Sequence, residues 1–196
     1  MFCRSDQVYR CDPGKLSRGS VASRTPYILE PGIYDLGLTP FTVASNERVY
    51  LAAGAYVKGF FAFAPGAANA AIQGRGILSG EDLPKAQCIE TTAGCPDMVV
   101  AQGNVKNLLV EGITFIQSPF YNVSINGGSG NRVDNVKVIA WLGNSDGIQA
   151  SYGPQDTGSV IENSFVKNGD DSIKLTASNL LVDRFHNSIA IPLVVG

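Results

Sequence analysis

The sequence predicts an all-β chain folded as a right-handed, single-stranded parallel β-helix, and three observations carry that expectation. Bursts of three to five apolar, aromatic and β-branched residues, such as Val49-Tyr50-Leu51, Ile113-Thr114-Phe115 and Val136-Lys137-Val138, are separated by Gly, Asn, Pro and Asp. No stretch has the i, i+3, i+4, i+7 spacing of a long amphipathic helix, so the chain reads as strand and turn. The bursts also recur. Tyr121-Asn122-Val123-Ser124-Ile125 aligns with Asp146-Gly147-Ile148-Gln149-Ala150 and then with Asp171-Ser172-Ile173-Lys174-Leu175, a step of 25 residues both times. A step of ~20–30 residues holding several short strands is the mark of a solenoid. A β-sandwich also has short strands, but nothing in it brings corresponding residues back at a fixed step. The leucine-rich repeat frame is absent.

A second ladder supports the same repeat: Val110-Glu111-Gly112 aligns with Val133-Asp134-Asn135, Ile161-Glu162-Asn163 and Val182-Asp183-Arg184. Residues 1–26 are polar and aperiodic and read as an irregular lead-in. Residues 27–196 then form one β-helix catalytic domain. Its last residues, Ile191-Pro192-Leu193-Val194-Val195-Gly196, read as a strand cut short, so the solenoid is expected to be incomplete at its carboxyl end.

Composition narrows the function classes. With 196 residues, 44% hydrophobic, 16% charged and 22 glycines, the chain suits one globular β-rich domain and not a disordered one. A net charge of −2 gives no reason to expect nucleic acid or an anionic membrane as partner, and no 18-residue apolar run spans a bilayer. A monomer is expected. The four cysteines fall in two local pairs, Cys3 with Cys11 and Cys88 with Cys95. They read as disulfides of a secreted, extracellular protein, or alternatively as free buried thiols. The amino terminus has no apolar signal region, which suggests a fragment. Asn122-Val123-Ser124 is the only glycosylation sequon and falls on an expected strand.

Solenoid geometry converts sequence step into proximity, because equivalent residues on successive coils lie ~4.8 Å apart. Asp146 and Asp171 each stand two residues before an aligned isoleucine and should stack directly. Asp170 lies at the same strand entrance. Three like charges so close repel, and at least one carboxyl should titrate high. Such a cluster adds no stability, so it is functional or is neutralised by a cation, of which Lys174 is the nearest. Paired carboxyls of unequal acidity are what glycoside hydrolysis uses. The plainer readings are turn chemistry for Asp146-Gly147 and Gly169-Asp170, or a Ca²⁺ site. Gly74-Arg75-Gly76 misses the dinucleotide fingerprint, and no nucleophile elbow or P-loop is present, so neither cofactor nor metal is expected.

The acid motifs resemble those of known polysaccharide hydrolases. Asn144-Ser145-Asp146-Gly147-Ile148 resembles the Asn-Thr-Asp-Gly-Ile motif of polygalacturonases, glycoside hydrolase family 28, and Gly169-Asp170-Asp171-Ser172-Ile173 resembles their Asp-Asp motif. The wider match, carried by Val49–Gly59, Gly74–Glu81 and Asp170–Leu175, is similar to the dextranases and isopullulanases of glycoside hydrolase family 49. The stretch Phe185-His186-Asn187 resembles a Cys-His-Asn stretch in those enzymes. The resemblance covers roughly residues 30–196. It implies a pectin-lyase-like solenoid and cleavage of an α-glucan of dextran or pullulan type. The polygalacturonase Gly-His-Gly and Arg-Ile-Lys motifs are missing, and Gly169 stands where those enzymes have Gln, which weakens pectin as substrate. A polygalacturonase-type hydrolase, a calcium-dependent pectate lyase on the same solenoid, and a non-catalytic carbohydrate-binding fragment are the alternatives.

By the same resemblance Asp170 is the general acid, and Asp146 with Asp171 activates the attacking water, with inversion at the anomeric carbon. Acids one coil apart sit near the ~5 Å separation of retaining enzymes, so the general rule and the resemblance disagree. The resemblance is preferred, since a water held between two acids can attack without a covalent intermediate. Lys174 and Tyr121 are expected to meet substrate, Tyr121 by stacking on a sugar ring. His186 is expected to join them from the next coil, with Asn187 in the acid column. Trp141 is expected in the core or at the rim.

Overall fold

The computed structural model describes residues 4–5, 9–10, 26–85, 88, 94–150, 157–175, 181–184, 186–187 and 194–195. Its short strands wind into coils, each contributing one strand in turn to three sheets. Apart from the antiparallel pair Arg4–Ser5 with Tyr9–Arg10, every described pairing is parallel. The first sheet runs from Arg4–Ser5 to Leu181–Asp183, the second from Gly32–Asp35 to His186–Asn187, and the third from Phe41–Val43 to Val194–Val195. The result is an all-β parallel solenoid, as the sequence predicts.

Strands of three or four residues form here because alternate side chains meet two different environments. Inward positions stack on one another along the axis: Val99, Val123, Ile148 and Ile173 in the third sheet, and Val110, Val133 and Ile161 in the first, all buried. Both ladders aligned from sequence are the observed registers, including Ile161 opposite Val182. The corner after the first sheet needs a left-handed residue on every coil, and Gly112, Asn135, Asn163 and Arg184 supply it with φ of 76°, 52°, 50° and 47°.

Two expectations are corrected. His186–Asn187 does not continue the acid column; it pairs with Phe165 and Val166 in the second sheet, and Val194 and Val195 are the residues that follow Lys174 and Leu175 in the third. The chain needs the extra residues to turn the corner between those sheets. The sequon is not a surface feature either. Asn122 is buried, and its Nδ2, the atom a glycan would need, donates to the Asp146 carbonyl at 2.8 Å. Cys88 and Cys95 form a disulfide, whereas Cys3 and Cys11 lie outside the described residues. No helix among the described residues is long and apolar enough to cross a membrane.

Candidate active site

The acids gather at the entrance to the third sheet, where the parallel ladder begins before the strands do. Gly147 N–H donates to the Asp171 carbonyl at 2.8 Å, and Asn122 N–H to the Asp146 carbonyl at 2.9 Å. These bonds fix Tyr121, Asp146 and Asp171 one above another. Asp146-Gly147 is therefore not a free turn. A Cβ on Gly147 would lie 2.2 Å from the Ser172 carbonyl oxygen, so the glycine lets the two coils approach. Gly169 does the same beside Asp170, where a Cβ would lie 2.2 Å from the Leu142 carbonyl oxygen.

Asn168 organises the turn that carries the acid pair. Its Nδ2 donates to the carbonyls of Ser145, Asp170 and Asp171 at 3.1, 2.9 and 2.9 Å, and its Oδ1 accepts from the Ser172 hydroxyl at 3.0 Å. Asp170 accepts from the backbone N–H of Asn144 at 3.2 Å and of Asp171 at 2.8 Å. Asn144 also donates from Nδ2 to the Cys88 carbonyl at 2.8 Å, tying the disulfide loop to the acid loop.

Carboxylate oxygens of Asp146, Asp170 and Asp171 lie within 4.8 Å of one another, as the 25-residue step predicts. The cluster is close enough to hold a cation, and Lys174 already places one there. Its ammonium is 2.6 Å from Asp146 Oδ2 and 3.3 Å from Asp171 Oδ2, and it donates to the Tyr121 hydroxyl at 3.2 Å. Burial raises the Asp146 carboxyl to about 6, against the pull of the Lys174 ammonium and with the charges of Asp170 and Asp171 adding to the rise. Burial works against the Lys174 charge, but Asp146 and Tyr121 outweigh it and raise its pKa.

Of the other residues singled out from sequence, Tyr121 is present but already engaged. Phe120 stacks on its ring at 4.2 Å and 10°, and the Lys174 ammonium stands 4.9 Å from the ring centroid. Tyr121 thus positions the lysine. Trp141 is 63% exposed in the loop leading to Asp146, a rim residue and not a core one. His186 is exposed on the second sheet and is not brought to the acids. A concavity of about 580 Å³ between the first and second sheets, lined by Tyr50, Gln73, Arg75, Glu111 and Lys137 among others, contains none of the acids.

One carboxyl escaped the sequence reading. The register that sets Val99 opposite Val123 places Asp97 in the column of Tyr121, Asp146 and Asp171, two residues before the inward valine. Burial pushes Asp97 up to about 7, with the Ser124 side chain and the Tyr121 backbone hydrogen-bonded to it and opposing the rise, and with the Asp146 charge adding to it. The signal was legible: Asp97-Met98-Val99-Val100-Ala101 has the same spacing of acid and apolar residues as Asp146-Gly147-Ile148-Gln149-Ala150.

Comparison with known proteins agrees with this geometry. The family model described as glycosyl hydrolases family 28 matches residues 46–188. A dextranase of Arthrobacter sp. (strain CB-8) is 26% identical over 91% of this chain and 30% of its own length. The isopullulanase of Aspergillus niger is 27% identical over 86% of the chain and 32% of its own. Among solved structures, Dex49A from Penicillium minioluteum superposes with a TM-score of 0.74 at 25% identity, covering 95% of this chain and 36% of that one. The chain thus spans about a third of the length of these relatives.

Proposed function

Because the chain belongs to glycosyl hydrolases family 28, we propose that it cleaves an α-glucan polysaccharide of the dextran or pullulan kind by an inverting general acid/base mechanism. The observation that carries this reading is the Lys174-clamped pair Asp146 and Asp171 beside Asp170 on adjacent coils. Asp170 gives its proton to the glycosidic oxygen as the bond to the anomeric carbon breaks. A water attacks that carbon from the other face, and its proton passes to the carboxylate of Asp146 or Asp171. Lys174 keeps these two carboxyls available as anions where burial and mutual repulsion oppose it. The glucan substrate is suggested by the dextranase and isopullulanase relatives, and the Cys88–Cys95 disulfide supports an extracellular setting.

A pectin hydrolase is the second reading, favoured by the family match itself and opposed by Gly169 and the missing basic motifs. Reducing-sugar release from dextran, pullulan and polygalacturonate, with Asp170→Asn as control, separates them. Release from a glucan, abolished in the variant and giving the inverted anomer by NMR, is the expected result. Release from polygalacturonate alone would move the assignment to pectin, a retained anomer would overturn the roles given to the acids, and no release would leave a non-catalytic carbohydrate-binding chain.

A further inference from the structure

Outward positions of the third sheet form a second column beside the acids. Val100, Ser124, Gln149 and Lys174 are successive partners in the parallel ladder. Because Lys174 reaches the acid carboxylates from this column, Ser124 and Gln149 face the same side of the sheet. They are 1% and 5% exposed and polar, which calls for partners. Most are found. Gln149 Nε2 donates to Asn126 Oδ1 at 3.2 Å, Asn126 Nδ2 donates to Ser124 Oγ at 3.2 Å, and Ser124 is hydrogen-bonded to the Asp97 carboxyl. Gln149 Oε1, however, accepts no hydrogen bond. A buried carbonyl without a donor costs about 1–3 kcal/mol, so a chain that keeps one beside its acid cluster leaves an acceptor ready for a ligand donor.

We propose that Asp97, Ser124 and Gln149 form a sugar-binding subsite for a neutral hexosyl unit, on the coils preceding the acids. The inference rests on the glycan-hydrolase reading and extends it along the sheet. Asp97 lies two coils from Asp146, about 10 Å at ~4.8 Å per coil, a span of one to two hexosyl rings. A ring seated there has its hydroxyls in reach of both groups: one donates to Gln149 Oε1, and its neighbour exchanges a hydrogen bond with Asp97. A uronic acid is disfavoured, because its carboxylate would face Asp97 and Asp146 with Lys174 already shared between Asp146 and Asp171. Burial holds Asp97 neutral below about pH 7, which leaves it a proton to donate to a sugar oxygen.

The test is calorimetric binding of isomaltohexaose and isomaltotriose to the full chain carrying Asp170→Asn, which keeps the ligands intact. The subsite predicts that the hexaose binds more tightly than the triose, and that adding Asp97→Ala or Gln149→Leu removes that margin, roughly tenfold, while triose affinity stays unchanged. Equal losses for both ligands, or none, would overturn the subsite and make these residues structural. If Asp97→Ala does not fold by circular dichroism, Gln149→Leu decides alone. If the Asp170→Asn parent binds neither ligand, the glucan reading fails and the subsite falls with it.

Discussion

At Asp146, burial and repulsion favour the protonated carboxyl while the Lys174 ammonium 2.6 Å away favours the anion, and the balance is a pKa of about 6. If Asp146 works as a base it must be ionised, so kcat/KM on a glucan should rise as pH increases through about 6. A kcat/KM that instead falls above that pH would make Asp146 the proton donor. Lys174→Met removes the opposing cation. The ascending limb should then move to higher pH and kcat should fall by roughly 10²-fold or more, read from pH–rate profiles of the two proteins. A purely solubilising lysine would leave the limb in place. The acid triad was legible because two identical 25-residue steps force the stack. Asp97 was not, because Tyr121 interrupts the column of acids and the coil below steps by 24 residues. Nor did the sequence reveal that Phe120 and Lys174 already occupy Tyr121, since side-chain direction at a strand entrance depends on the corner loop.

On the scale of single elements, the site depends on how closely two strand entrances approach. An alanine methyl on Gly147 would meet the Ser172 carbonyl oxygen at 2.2 Å and Val166 Cγ1 at 2.8 Å, and the backbone atom cannot yield as a side chain can. Gly147→Ala should therefore cost about 1–3 kcal/mol and displace Asp146 from Lys174, seen as a lower Tm together with lost activity. Gly143→Ala, in the same loop with nothing within 4 Å of the added carbon, should change neither. Comparable effects of the two substitutions would mean that loop flexibility matters and close approach does not. Sequence alone marks Asp146-Gly147 as a turn dipeptide. Only the register shows that this glycine makes room for the next coil. The second sheet misled in the opposite way. His186-Asn187 seemed to extend the acid column because another isoleucine follows, yet the corner uses more residues than in earlier coils and the column resumes at Val194.

Across the whole molecule, stacking equivalent residues makes the fold readable and also concentrates charge, so the solenoid's stability is tied to protonation along the third sheet. Asp97 and Asp146 both titrate above their ordinary range, near 7 and 6, with burial the first cause of each. Groups facing Asp97 are Ser124, Tyr121 and Asp146, with Lys174 on the far side of Tyr121. Between about pH 4, where the unfolded carboxyls lose their protons, and about 7, the folded chain still holds protons that the unfolded chain has released. The stability these groups contribute is thus fully present below the unfolded value and is lost as pH rises through the folded ones. Glu81, held at about 2 by Lys58 and Tyr56, works in the other direction, but its contribution fades only as pH falls below the ordinary carboxylate range. Thermal unfolding should accordingly give a higher Tm at pH 5 than at pH 8, by an amount equivalent to about 1–4 kcal/mol. Asp97→Asn, neutral at every pH, should shrink that difference by raising the Tm at pH 8. A Tm that climbs from pH 5 to pH 8 would mean that the two carboxyls are ionised without penalty, and that burial at the head of this sheet does not control the charge of the site.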